Sequence, residues 1–120
     1  MNVITGKQEL NNFIINNKDK VIVLFFSAKW CEPCKKLKKN LENKEFMNKM
    51  PQLEIAYIDI NDDMNEKLTK YYNVDSIPLQ VFISLEKNNN EYQIVEKKRI
   101  IGYDIIQFSL TYEQILNNQL

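Results

Sequence analysis

The sequence has no histidine, two glycines, three prolines, one tryptophan and two cysteines among 120 residues. Without histidine there can be no Ser-His or Cys-His nucleophile pair and no imidazole metal ligand. Proton traffic is left to carboxylates, lysines, thiols and water. Two cysteines are too few for the disulfide frameworks of small secreted domains, and they could complete a four-ligand zinc site only across a dimer. No apolar run approaches the ~20 residues of a membrane-spanning helix, and the start Met1-Asn2-Val3-Ile4-Thr5-Gly6 lacks the apolar stretch of a signal sequence. A reducing, cytoplasmic compartment is the default expectation, or an organelle if a leader has been removed. Charge of one sign is also missing: 16 Lys and Arg balance 16 Asp and Glu. A neutral chain has no broad attraction for nucleic acid or an anionic membrane, so neither is expected as a partner. The length fits one domain, residues 1–120, with one active site, and a monomer is expected. No internal repeat or linker interrupts it.

What is present is concentrated in Trp30-Cys31-Glu32-Pro33-Cys34, which holds both cysteines two residues apart. Val21 to Phe26 before it reads as a strand buried on both faces, and Lys35 to Leu41 after it reads as a helix. The pair therefore belongs where a strand hands over to a helix N-terminus. Unpaired N–H groups and the positive end of the helix dipole stabilise an anion there, and a thiolate is one. A thiol with the ordinary pKa of about 8.5 is about 3% ionised at neutral pH, whereas a value near 7 makes about half of it nucleophilic. Cys31 at the helix mouth is the expected attacking thiol, and Cys34, one turn inside, the resolving one.

The rest of the chain alternates in period. Val3-Ile4 predicts a short strand, and Thr5-Gly6-Lys7-Gln8 has capping-box spacing for a helix with Leu10, Phe13 and Ile14 on one face. A helix from about 32 to 49 presents Cys34, Leu37 and Leu41, with an irregularity near Asn43 before Phe46 and Met50, and Pro51 closes it. Leu53 to Ile60 is a second core strand, followed by a helix capped by Asn61 or Asp62. Leu79 to Leu85 and Tyr92 to Ile101 form a hairpin around the turn Lys87-Asn88-Asn89-Asn90, and a last helix starts near Asp104, aligning Ile105, Phe108, Tyr112 and Ile115. This order is α/β, with a parallel part and a terminal antiparallel hairpin.

This order, together with Phe26 to Lys35 around the cysteines, Val74-Asp75-Ser76-Ile77-Pro78 before a core strand and Gly102 after the hairpin, resembles the thioredoxin family along nearly the whole chain. The resemblance implies a thioredoxin fold, a central mixed sheet of four to five strands flanked by helices on both faces. It implies that Pro78 is a cis-proline facing the disulfide and that Ile77 lends its backbone N–H and C=O to an extended substrate. By the same resemblance Trp30, Ile77, Pro78, Gly102 and Tyr103 line an apolar groove for the client chain. A cis bond is otherwise almost confined to X-Pro, and a proline opening a buried strand needs a reason to be there.

Two departures from the family touch the chemistry. Glu32 stands where the common motif has glycine. At ~6 Å in water-like dielectric its charge is worth about 0.7 kcal/mol, half a pK unit upward for the thiol, which Lys29 and Lys35 can offset. A higher thiol pKa goes with a more stable disulfide, so a reducing potential is expected. Phe25 occupies the place of the buried aspartate six residues before the first cysteine, so the family's acceptor for the resolving thiol's proton is gone. Burying a ring avoids the cost of a carboxylate in the core, and slow release of mixed disulfides is expected. Glu32 acting through water is the substitute base the sequence offers.

The expected function is protein thiol-disulfide exchange, in the reductase direction, on disulfide-containing clients. No metal or cofactor is expected, and electrons would come from an external reductase or glutathione. The alternative is a binding module on the same scaffold, with slow redox chemistry, suggested by Phe25, Glu32 and the long hairpin from Asn88 to Lys98.

Overall fold

The computed structural model describes residues 1–120, and its elements follow in the order β1 (Asn2–Val3), α1 (Lys7–Asn16), β2 (Val21–Ser27), α2 (Glu32–Glu42), α3 (Lys44–Asn48), β3 (Leu53–Asp59), a 3₁₀ turn (Asp63–Asn65), α4 (Glu66–Tyr71), β4 (Leu79–Asn88), β5 (Glu91–Ile101) and α5 (Ile105–Leu116). The five strands form one sheet in the order β1-β3-β2-β4-β5. β1, β3 and β2 are parallel, β4 runs antiparallel to β2, and β5 pairs back on β4.

β2 is buried along its whole length because helices cover both faces of the sheet. Ile22, Leu24 and Phe26 point into one core with Leu10, Phe13 and Ile14 of α1 and Leu68 of α4. Val21, Val23 and Phe25 point into the other, with Leu37 and Leu41 of α2 and Phe108 and Tyr112 of α5. Period-two side chains meeting helical stripes on each side account for the continuous apolar run. No helix is long and apolar enough to cross a membrane.

The local signals hold with three corrections. The Thr5 to Gln8 capping box does not form: Gly6 takes the cap position of α1 at φ 86 with no side-chain cap. Its N–H instead donates to Oδ1 of buried Asn65 at 2.8 Å, and Asn65 donates in turn to the carbonyls of Ile4 and Asp59. A distant amide thus ties the start of α1 to the end of β3, satisfying the backbone groups that a local cap would have served. The irregularity expected near Asn43 in the helix over 32–49 is a full break into two helices, because Asn43 turns extended (φ −79, ψ 121) and its side chain accepts from the Phe46 N–H, ending α2 and capping α3 in one residue. Pro51 lies beyond α3 and does not end it. The hairpin strands extend to Asn88 and Glu91, closing on Asn89 and Asn90 alone, both at positive φ (51 and 69). Asparagine tolerates this region, and a two-residue turn of this hand matches the strand twist.

Candidate active site

Because β2 ends at Ser27 in the middle of the sheet, the segment Ala28 to Trp30 leaves the core and Cys31 becomes the N-cap of α2. Cys31 has extended backbone (φ −90, ψ 112), and its Sγ accepts the Cys34 N–H at 3.3 Å. Pro33 between them lacks an N–H, so the Cys34 amide is the first-turn donor that reaches the sulfur. Cys31 and Cys34 are joined as a disulfide with Cα atoms 5.2 Å apart. Both are buried, at 6% and 1% exposure, among Ala28, Ile60 and Ile77. Reduction would leave the Cys31 sulfur on the unpaired amide end of an 11-residue helix, where negative charge is stabilised.

The Ile77–Pro78 peptide bond is cis, as the resemblance implied. It carries the Ile77 carbonyl oxygen to 3.9 Å from the Cys31 sulfur. Neither the N–H nor the C=O of Ile77 makes a backbone hydrogen bond within the chain. Pro78 is buried and Ile77 half-buried. The Pro78 carbonyl accepts the Gly102 N–H at 2.8 Å, so Gly102, at φ 93, braces the proline from β5's end.

Trp30 is 66% exposed, which makes it a surface indole and not a core one. Its Nε1–H donates to Oδ1 of Asn61 at 2.8 Å. Asn61 is held in turn by its own N–H on Asp59 Oδ1. Asn61 was legible only as a helix cap, and nothing in the sequence pointed to the indole. Tyr103 is partly exposed, and its hydroxyl donates to Asn40 Oδ1 of α2 at 2.6 Å, which ties the ring to the flank of that helix.

Glu32 forms an exposed ion pair with Lys35 at 3.0 Å. That is the compensation expected for its charge. It is not among the residues around the buried Cys34, so the structure gives no support to Glu32 as the substitute base. Cys34 instead shares a cleft with Ser27, Lys29, Lys35, Lys38 and Tyr57. Phe25 is fully buried, with its ring edge-on to Tyr57. No cluster of three or more Cys, Asp or Glu side chains that could hold a metal is present.

A helix-capping cysteine disulfide-bonded to a second one three residues on, beside a cis-proline, agrees with what known proteins show. The thioredoxin family model matches residues 2–106. The chain belongs to the thioredoxin family. It is 34% identical to Thioredoxin-T of Drosophila melanogaster over 82 residues, 67% of this chain and 49% of that protein. Thioredoxin 3 of Plasmodium falciparum is 30% identical over 87 residues, 72% of this chain and 44% of that protein. The chain thus spans about half the length of these curated relatives. Among solved structures, Fasciola hepatica thioredoxin superposes with a TM-score of 0.76 at 28% identity, covering 95% of this chain and 98% of that one. Trichomonas vaginalis thioredoxin, at 24% identity, shares the fold with a TM-score of 0.77 over 96% of both chains. The five-stranded mixed sheet flanked by helices is therefore a thioredoxin fold, and Cys31 and Cys34 are its CxxC pair.

Proposed function

We propose that the protein exchanges dithiol for disulfide with client proteins. The reduced Cys31 thiolate attacks a client disulfide, forming a Cys31–client disulfide and releasing one client sulfur as thiolate. Cys34 then loses its proton and attacks the Cys31 sulfur, and the second client sulfur leaves. Two electrons pass to the client, and Cys31 and Cys34 end as the disulfide described above. An external reductant, a partner reductase or two molecules of glutathione, supplies the two electrons that restore the dithiol pair. The observation that carries this reading is the Cys31 sulfur on the Cys34 amide at the mouth of α2. The free backbone groups of Ile77 beside it suit an extended client segment, which would pair with them as a strand does. Trp30, Pro78, Gly102 and Tyr103 would border that segment, and Lys29, Lys35, Glu32 and Pro33 set the charge and geometry of the helix mouth.

Reduction of insulin by a thiol donor tests this reading. The wild type should accelerate it catalytically, and Cys31→Ser should abolish the acceleration. Activity that survives Cys31→Ser would overturn the proposal.

A second reading, a binding module, draws on the hairpin. β4 and β5 run 10 and 11 residues and leave Tyr92 and Ile94 exposed near the turn. Partner capture that persists in a Cys31→Ser/Cys34→Ser double variant would favour it. Capture that needs Cys31 favours exchange.

A further inference from the structure

Cys34 is 1% exposed, yet it borders a cleft of about 270 Å³ whose other walls are Ser27, Ala28, Lys29, Lys35, Lys38 and Tyr57. Trp30, Cys31, Ile77 and Pro78 take no part in it, so it is separate from the surface on which a client would lie. The Tyr57 hydroxyl donates to Ser27 Oγ at 3.2 Å, and the Lys38 ammonium lies 5.1 Å from the centre of the Tyr57 ring. No carboxylate lines the cleft. Glu32, the nearest in sequence, is paired with Lys35 in solvent, and Asp59 accepts from Asn61.

We propose that this cleft is the proton path of the resolving step, with Ser27 and Tyr57 as its positioning residues. The inference rests on the exchange reading above. Before Cys34 can attack the Cys31–client disulfide, its S–H bond must break. The proton passes to water in the cleft, then outward past the Ser27 and Tyr57 hydroxyls to bulk solvent. The electron pair left on Cys34 forms the new S–S bond with Cys31, and the client sulfur departs with the pair of the bond that breaks. No other oxidant or reductant enters.

The residue types fit the task. A hydroxyl both accepts and donates, so two of them can orient water toward a buried thiol without holding a charge of their own. Because Tyr57 donates to Ser27, the Ser27 proton stays free to point elsewhere in the cleft. Lys29 and Lys38 also border the cleft, and their positive charge favours the transient thiolate, while the Lys35 ammonium is held by Glu32. β2 and β3 supply the arrangement through their register, which sets Phe25 opposite Tyr57 and Ser27 opposite Asp59. With a phenyl ring at position 25 there is no acid there to move the proton, and the hydroxyls stand two residues further along β2, at Ser27, and opposite Phe25 on β3, at Tyr57.

Stopped-flow reaction of the reduced protein with an aromatic disulfide that releases a coloured thiolate separates the two steps. The first burst reports attack by Cys31, and the second reports resolution by Cys34. Tyr57→Phe keeps the ring, its packing and its contact with Lys38, and removes only the oxygen. In Tyr57→Phe and in Ser27→Ala the first burst should match wild type. The second should slow at least about tenfold, less than the ~10²–10⁴-fold of a group that itself takes the proton, because these hydroxyls only orient the water that does. Its rate profile should move to higher pH, and Ser27→Thr should restore it. A second burst with wild-type rate and pH profile in Tyr57→Phe would overturn the inference and leave the exchange reading standing. Absence of the first burst in the wild type would overturn both.

Discussion

Phe25 and Tyr57 meet edge to face across the β2–β3 pair, with ring centroids 5.3 Å apart and planes at 89°. By the family resemblance, this contact stands where a buried aspartate is expected. Phe25 is fully buried and Tyr57 half-buried, and an edge-to-face pair of rings is worth about 0.5–1.5 kcal/mol beyond the area it removes from water. A lone carboxylate in the same surroundings would cost several kcal/mol unless paired. On that resemblance, the ring contributes core stability where a proton acceptor would stand, and the two effects can be measured separately.

Phe25→Asp should speed the resolving step and weaken the fold. The loss should be about 3–5 kcal/mol, from the cavity left by the ring and the buried carboxyl. Burial raises the carboxyl's pKa in the folded state, so the native form holds a proton that the unfolded form has already lost. Stability of the variant relative to wild type should therefore fall as pH rises above about 4, the unfolded aspartate value. Urea denaturation at several pH values, beside the stopped-flow rates, checks both. An unchanged or slower resolving step would show that position 25 does not govern proton removal.

Glu32 lies in the first turn of α2 and is held by Lys35 at 3.0 Å. Glu32→Gln frees that ammonium, so alkylation of Cys31 should extend to lower pH by up to about half a unit at low salt. Lys35→Gln should move it the other way. Both shifts should shrink at high ionic strength, since the pair is exposed. Rates of iodoacetamide modification against pH, read by mass, provide the measurement.

Trp30 is the only tryptophan, so intrinsic fluorescence reports on it alone. Asn61→Ala removes the acceptor of its indole N–H. Quenching by acrylamide should increase, and KM for a protein disulfide should rise more than kcat falls. Global stability should drop by no more than about 1 kcal/mol, as fits a hydrogen bond open to water.

Tyr72 sets an alkaline limit. Burial, and then the charge of neighbouring Tyr71, pushes its phenol up to about 12. The unfolded chain releases this proton near 10 while the native state keeps it, so stability declines as pH climbs from 10 towards 12. Tyr72→Phe should flatten that decline. Thermal unfolding across this range, with the phenolate absorbance followed in parallel, will show it.

How much of this was legible in the sequence follows from the range of each interaction. The run Val21 to Phe26, the start of the helix after the cysteines and the asparagine pair at the hairpin tip are local patterns, and each appears where its period or turn chemistry predicts, while the helix breaks at Asn43 and the turn narrows to Asn89 and Asn90. The Ile77–Pro78 bond was implied by resemblance and is cis. What escaped depends on distant partners. The cap of α1 failed because Gly6 is served by Asn65, 59 residues away. The Trp30–Asn61 bond and the Ser27–Tyr57 pair span 31 and 30 residues and exist only through strand register and the docking of α2. No pattern in a single chain specifies that a tyrosine on one strand reaches a serine on the next. The sequence therefore offers a substitute for the missing acid only beside the cysteines, at Glu32, while the polar groups around Cys34 come from β2, β3, the loop after β2 and α2.

The most direct test of the division of labour between the two sulfurs is to incubate each single variant with a disulfide client and locate adducts by mass spectrometry. Cys34→Ser should accumulate a client disulfide on Cys31 that a reducing agent releases, while Cys31→Ser should accumulate none. Equal adducts on both variants, or an adduct on Cys34 alone, would contradict the assignment of Cys31 as the attacking thiol.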